Sequence, residues 1–188
     1  WLILPVVFAV LLSPRASTVA EAADTMFGNG SDGAVTFSSN TQFNPLVDAV
    51  VDSGAMGGST LTVSSPSGVF LPGQKILVHQ TRGIGAGNWE LNSVQSYALG
   101  NVVTSAPLAH TYAWSGYIDE TSPTSRAQVL VVPQYTNVTV NSGATLSAKP
   151  WDGSVGGILA FLANGTVTVA GSISANSQGF GSEGFVTG

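Results

Sequence analysis

Residues 137–148 read NVTVNSGATLSA, and a near copy, TVTVAGSISA, follows about 28 residues further on, at residues 166–175. Both segments share one plan: a short β-branched strand, a turn with glycine, and a second short strand. Repeats of this kind are typical of chains in which each coil pairs its backbone with the next and stacks like residues. The repeat therefore predicts parallel coils in which Val138 lies above Val167.

The composition favours β-structure along the whole chain. Only 8% of the residues are charged, whereas about a quarter of the residues of an ordinary soluble domain are charged. Glycine accounts for 23 of the 188 residues. The strong helix formers Glu, Lys and Arg are scarce, and β-branched residues recur in short runs. No amphipathic stretch with a helical period exceeds about two turns. We therefore expect almost no helix.

A different pattern fills residues 53–112. Short β-branched runs alternate there with Gly and Pro turns, which predicts a small antiparallel sheet or barrel. In residues 75–79, alternation places Ile76 and Val78 on one face and Leu77 and His79 on the other. The expected fold is all-β: a right-handed parallel β-helix-like stack formed by residues 23–52 and 113–188, with a small antiparallel β-barrel-like insert at 53–112.

The first 22 residues have the pattern of a signal peptide. Residues 1–12 are apolar, too short a run for a bilayer-spanning helix of about 20 residues, and no membrane span is expected. A small-residue triplet ending at Ala22 predicts cleavage after that residue. The alternative is a buried core segment. The chain opens at Trp1 and the coil pattern continues to Gly188, so we interpret the sequence as a fragment of a longer exported protein.

Three stretches carry a family resemblance: FGNGSDGAVTFSS at residues 27–39, STLTVSSPSGVFLPGQKILVHQTRGIGAGNWELNSVQSY at 59–97, and residues 126–180, which begin RAQVLVVPQYTNVTV. Their order resembles the N-terminal region of large bacterial exported proteins, some named adventurous gliding motility proteins and others adhesin-like surface proteins. The resemblance covers roughly residues 27–180. It implies a β-helix-like exported region and supplies no catalytic residue.

Composition and spacing argue against several classes of site. The net charge of −5 leaves no basic surface for nucleic acid, and the lack of cysteine excludes disulfides and thiolate metal sites. His79 and His110 have no further ligand at a suitable spacing, so no metal is expected. The glycine-rich loop 83–87 lacks the Lys-Ser/Thr of a phosphate loop, and residues 29–33 suit a turn better than a calcium loop. No cofactor is predicted.

Paired carboxylates are the other candidates, because glycosidases use two of them on one face. Asp119 and Glu120 are adjacent and would point to opposite faces of a strand. Asp48 and Asp52 lie in an irregular segment, and Glu90 follows a tryptophan, as carboxylates in sugar sites often do. Solvated surface or turn capping explains all five more simply.

Aromatic residues are the remaining candidates for ligand contact. Trp89, Tyr112, Trp114 and Tyr117 lie in or near predicted loops, where exposed flat rings can stack on sugars. The alternative is that these rings cap the core between the insert and the coils.

These observations predict a non-catalytic structural or adhesive module of a secreted or cell-surface bacterial protein, located outside the cell. Its expected partners are surface polysaccharide or other cell-envelope components and the remainder of its own longer chain. The alternative is the N-terminal part of a β-helix polysaccharide-degrading enzyme whose catalytic residues lie beyond Gly188.

Overall fold

The computed structural model describes residues 26–115 and 124–180. The predicted all-β fold is confirmed for these residues, which form strands and no helix, and hence no apolar helix of bilayer length. The strands are β1 (Val35–Phe37), β2 (Thr41–Phe43), β3 (Asp48–Gly54), β4 (Thr60–Ser64), β5 (Lys75–Arg82), β6 (Trp89–Ala98), β7 (Asn101–Thr104), β8 (Tyr112–Ala113), β9 (Arg126–Val131), β10 (Gln134–Tyr135), β11 (Val138–Val140), β12 (Thr145–Ala148), β13 (Leu162–Ala163), β14 (Val167–Val169) and β15 (Ser172–Ser174).

The chain passes three times through the same two parallel sheets. β1, β11 and β14 form one sheet and β2, β12 and β15 form the other, with the second pass in the middle of both. Val138 lies opposite Val167, as the repeat predicts, and opposite Val35 on its other side. A further parallel pair joins β10 to β13. We call these eight strands the parallel stack.

The interior of the parallel stack consists of the residues that alternate inward along each pass. Val138, Val140 and Leu146 of the second pass are fully buried because a neighbouring pass covers each side. In the third pass, Val167 and Ile173 occupy equivalent positions but are 46% and 40% exposed. Burial in this region therefore depends on stacking between passes.

Turns between the strands are held by side chains that bridge one pass to the next. The Asn137 side-chain oxygen accepts a hydrogen bond from the backbone N–H of Thr166, 29 residues away, at 2.7 Å. Asn40 accepts one from Thr145 in the same way at 2.9 Å. Gly171 lies so close to the turn above that a Cβ there would be 2.2 Å from the carbonyl oxygen of Ala144. Asparagine thus links neighbouring passes by hydrogen bonds, and glycine allows their turns to approach closely.

Between the first and second passes, the chain forms a closed antiparallel barrel. β4, β7, β6, β5, β9 and β3 pair in this order, and β3 pairs back to β4, while β8 adds to the end of β3. Closing the ring leaves no unpaired edge among the six strands. Buried apolar side chains fill the interior, among them Val51, Leu61, Phe70, Ile76, Val78 and Val129.

The barrel extends beyond the predicted insert of residues 53–112 at both ends. β3 begins at Asp48, in a segment assigned from sequence to the parallel part, and β9 spans Arg126–Val131, also assigned there. The pairing of β9 with β3 and β5 closes the ring. A β-branched run such as β9 fits either environment, so only its partners decide where it belongs.

The apolar run GILAFL at residues 157–162 predicts a strand, but of these residues only Leu162 belongs to one, at the start of β13. Gly156 at the start of this segment lies against Gln128 of β9, 28 residues earlier. Both edges of β9 already pair inside the barrel. No backbone groups of β9 are left for residues 157–161 to pair with.

Candidate functional site

A groove of about 600 Å³ lies between the outside of the barrel and the third pass of the parallel stack. Its first wall is the outer face of β5 and β6, its floor is residues 157–162, and its second wall is the end of β15. None of the described residues that line it is Asp, Glu, Lys or Arg. The side chains that define it include Leu77, His79, Trp89, Leu91, Ile158 and Ile173.

The barrel wall of the groove follows from the two-residue period of a strand. Leu77 lies opposite Leu91, and His79 opposite Trp89, on the paired strands β5 and β6. The intervening residues of β5, Ile76 and Val78, belong to the barrel core, which confirms the alternation predicted for residues 75–79. The same alternation that fills the barrel therefore builds a mixed aromatic and aliphatic surface outside it.

Trp89 is the most prominent side chain of this wall. It is 58% exposed although it lies within a sheet. A large flat ring left open to solvent in a concave site is unusual for a residue type that is highly buried on average. Its ring offers an apolar surface for a flat ligand to stack on.

Among the described residues that line the groove, His79 is the one with a titratable side chain. It is half-buried, and its Nδ1 lies 3.0 Å from Thr81 Oγ1. Burial lowers the pKa of the His79 imidazole below its ordinary value of 6.5. The ring is therefore neutral at pH 7, with one nitrogen that donates a hydrogen bond and one that accepts.

The floor of the groove is the seam between the barrel and the parallel stack. Leu159 and Phe161 pack against the core of the stack, whereas Ile158, Ala160 and Leu162 pack against the outer face of the barrel. The run GILAFL at residues 157–162 has the pattern of a strand. It gave no sign that the segment has two apolar faces, each meeting a different subdomain.

The four aromatic residues predicted to contact a glycan have separate environments. Trp89 lies in the groove, and Tyr117 lies outside the described residues. Tyr112 is completely buried, so the prediction of a glycan contact there is wrong. Burial, together with the charge of Glu90, raises the pKa of Tyr112 above its ordinary value. Trp114 is half-buried, and the Arg126 guanidinium covers one face of its ring at 4.2 Å from the centroid.

The carboxylates considered from sequence are engaged within the fold. Glu90 is on the opposite face of β6 from Trp89 and accepts a hydrogen bond from the backbone N–H of Ala109 at 2.9 Å. It therefore does not face the groove. Asp48 is buried and pairs with Lys149 at 2.7 Å, and Asp52 accepts a hydrogen bond from Ser64 at 2.8 Å. Asp119 and Glu120 lie outside the described residues.

The two loops for which the sequence disfavours a ligand site have structural roles. Residues 83–87 form the hairpin loop that joins the antiparallel strands β5 and β6. In the 29–33 turn, a carboxylate oxygen of Asp32 accepts a hydrogen bond from the Gln134 backbone at 2.6 Å. Within residues 26–115 and 124–180, no three His, Asp or Glu side chains are grouped closely enough to hold a metal ion.

Comparison with known proteins finds no matching family model and no matching curated protein. Several solved structures are distantly similar. The tailspike of Acinetobacter baumannii bacteriophage AP22, solved in complex with A. baumannii capsular saccharide, is 10% identical over 74% of this chain and 26% of its own, with a TM-score of 0.38. The Pseudomonas phage LKA1 tailspike is 14% identical over 64% and 25%, and that of Pseudomonas phage phi297 is 16% identical over 79% and 24%, both with TM-scores of 0.34.

The chain therefore spans about a quarter of the length of these tailspikes. At such identities and TM-scores, the similarity carries no argument about function.

Proposed function

We propose that this chain is a non-catalytic saccharide-binding module of a bacterial surface protein, and that the saccharide lies in the groove against Trp89. The observation that carries this proposal is the exposed indole of Trp89 inside an apolar groove of about 600 Å³. A volume of this size lies within the range of ligand sites, which combine apolar walls with a few polar groups.

A saccharide matches the two kinds of surface that the groove offers. Sugar rings have apolar faces of C–H groups and edges of hydroxyl groups. The Trp89 ring and the aliphatic side chains beside it suit the faces, whereas His79 and Ser174 provide hydrogen-bonding groups for the edges. The groove has no carboxylate among its described lining residues, so no observation favours the alternative of a glycosidase.

The parallel stack would serve as the scaffold of this site, and we infer that it is a β-helix. Supporting this are the three passes in the same strand order and the in-register pairing of Val35, Val138 and Val167. Such a scaffold holds the second wall of the groove at a fixed distance from the barrel, because the seam residues pack on both.

Export through the N-terminal signal peptide is part of the proposal and rests on the apolar residues 1–12 and the small residues that follow. The AP22 tailspike was solved with a capsular saccharide, but a TM-score of 0.38 gives that complex no weight for this chain. None of the comparisons connects the chain with gliding, so motility forms no part of the proposed function.

Replacement of Trp89 tests the site directly. We expect the wild-type chain to bind a subset of oligosaccharides on a glycan array, and Trp89→Ala to weaken that binding at least about tenfold, because ring stacking is lost. The matched control is Trp114→Ala, since Arg126 already covers that ring and it is outside the groove. Titration calorimetry on the best array ligand gives the affinities.

An equal loss of glycan affinity in Trp89→Ala and Trp114→Ala would contradict the placement of the ligand in the groove. A wild-type chain that binds no glycan would contradict the proposed function. Incubation of the bound oligosaccharide with the protein, followed by size analysis, should leave its length unchanged. Shortening of the ligand would show a hydrolase or lyase instead.

A further inference from the structure

The strand β5 contains an irregularity that changes the direction of one cationic side chain. Gln80 points into the barrel and is fully buried. In a regular strand, Arg82 would share its face. The register of β5 against β9 shifts between these two residues, and Arg82 is exposed instead. Bulges of this kind re-aim a side chain and are often found beside functional sites.

The redirected side chain of Arg82 lies beside one end of the groove. Its guanidinium carbon is 5.4 Å from the centre of the Phe180 ring. The backbone just before Phe180 passes over Gly157, where a Cβ would be 2.8 Å from the Cα of Gly179. Gly157 and His79, three residues before Arg82, both line the groove. Trp151 also packs edge-on against Phe180, with 5.1 Å between the ring centres.

Arg82 also differs from other cations in its electrostatic environment. Lys149 pairs with Asp48 and Asp152, and Arg126 donates hydrogen bonds to the carbonyl oxygens of Ser115 and Ser125. Among the residues that the structure describes, no carboxylate pairs with the Arg82 guanidinium. No carboxylate of the described residues thus competes for its donors, and an arginine binds a planar carboxylate with two of them.

We propose that the groove takes a saccharide that carries carboxylate groups, and that Arg82 binds one of these carboxylates at the Gly157 end of the groove. This inference rests on the proposed saccharide-binding function. None of the described residues that line the groove is Asp, Glu, Lys or Arg, so Arg82, beside its Gly157 end, would supply the positive charge that the acidic group of the ligand meets. Trp89 would hold the sugar ring, and Arg82 would select its charge.

The test uses the full 188-residue chain and pairs of oligosaccharides that differ only in charge. Hexamers of polygalacturonate, alginate and hyaluronan are each compared with their carboxyl-reduced counterparts by titration calorimetry. We expect the wild type to bind at least one acidic hexamer about tenfold more tightly than its reduced form, which corresponds to one charge-assisted contact. Arg82→Gln should remove this preference and Arg82→Lys should keep part of it.

Gln95→Glu is the matched control, because it alters the net charge by the same amount as Arg82→Gln at an exposed position of β6 outside the groove. It should leave the preference in place. Raising the salt concentration should weaken the acidic hexamer more in the wild type than in Arg82→Gln.

The possible failures are distinguishable. Equal binding of acidic and reduced hexamers, sensitive to Trp89→Ala but not to Arg82→Gln, overturns the role of Arg82 and leaves the saccharide site intact. A preference that Gln95→Glu and Arg82→Gln diminish equally reports long-range charge and also overturns it. Absence of binding to every glycan, both here and on the array, overturns the proposed function and this inference together.

Discussion

At the scale of single residues, neighbours in the sequence have opposite roles because strand side chains alternate. Trp89 faces the groove, whereas Glu90 faces the barrel interior and accepts a hydrogen bond from Ala109. The sequence suggested these two residues as a sugar-site pair because they are adjacent. Adjacent residues of a strand point to opposite faces of the sheet, whereas residues two apart share a face.

Gly171 gives a residue-scale prediction about contact between passes. Gly171→Ala would place a methyl group 2.2 Å from a carbonyl oxygen of the turn above. We therefore expect the free energy of local opening of the third pass to fall by about 1–3 kcal/mol. Hydrogen exchange of the β14 and β15 amides measures this local opening. Gly179→Ala is the control, because a Cβ there meets nothing within 4 Å. Similar exchange in both variants would show that the turns do not constrain the stack.

His79 gives a prediction about pH. Burial lowers its pKa in the folded state, so the unfolded state binds more protons once the pH falls below about 6.5. The free energy of unfolding should therefore decrease as the pH falls through the unfolded pKa to the folded one. Urea unfolding at pH 7.5 and pH 5.0 should show a smaller decrease in His79→Gln than in the wild type. An identical decrease in both would rule out a contribution from His79.

At the scale of elements, the way two segments meet depends on which strand edges are free for backbone pairing and which faces are open for packing. β9 uses both edges within the barrel, and the segment 157–161 packs against the barrel and the parallel stack through its side chains. Its first residue, Gly157, donates a backbone hydrogen bond to the carbonyl oxygen of Lys149 at 2.8 Å. A second link between the two subdomains is polar: Asp48 of β3 pairs with Lys149, which follows β12. Burial opposes the charge of Lys149, but its contacts with Asp48 and Asp152 outweigh this effect and raise its pKa.

Removal of Lys149 tests this link. Lys149→Met leaves the Asp48 carboxylate, whose side chain is only 7% exposed, without its partner. We expect a loss of roughly 2–4 kcal/mol in the free energy of unfolding, measured by urea titration. Asp152→Asn removes the more exposed partner and keeps an acceptor for the turn, so its cost should stay below about 1 kcal/mol. If Lys149→Met cost no more than Asp152→Asn, the buried pair would not stabilise the junction.

At the scale of the whole molecule, the barrel interrupts the parallel stack between its first and second passes. Contacts between these passes join residues more than one hundred positions apart, as in the hydrogen bond from Gln134 to Asp32. The groove exists because the barrel and the third pass are held side by side. Neither part forms it alone, since one wall comes from β5 and β6 and the other from β15.

The sequence by itself determined the all-β class, the repeated pass with Val138 opposite Val167, and the two faces of β5. These features depend on local composition and on periods of two and about 28 residues, which remain visible in one dimension. Only the tertiary structure decided that β3 and β9 close the barrel, that Tyr112 is buried, that Trp89 lines the groove, and that Arg82 lies against Phe180. Each of these features depends on which distant strand pairs with or packs against the residues concerned. The sequence does not specify this, because a β-branched run pairs equally well with several strands.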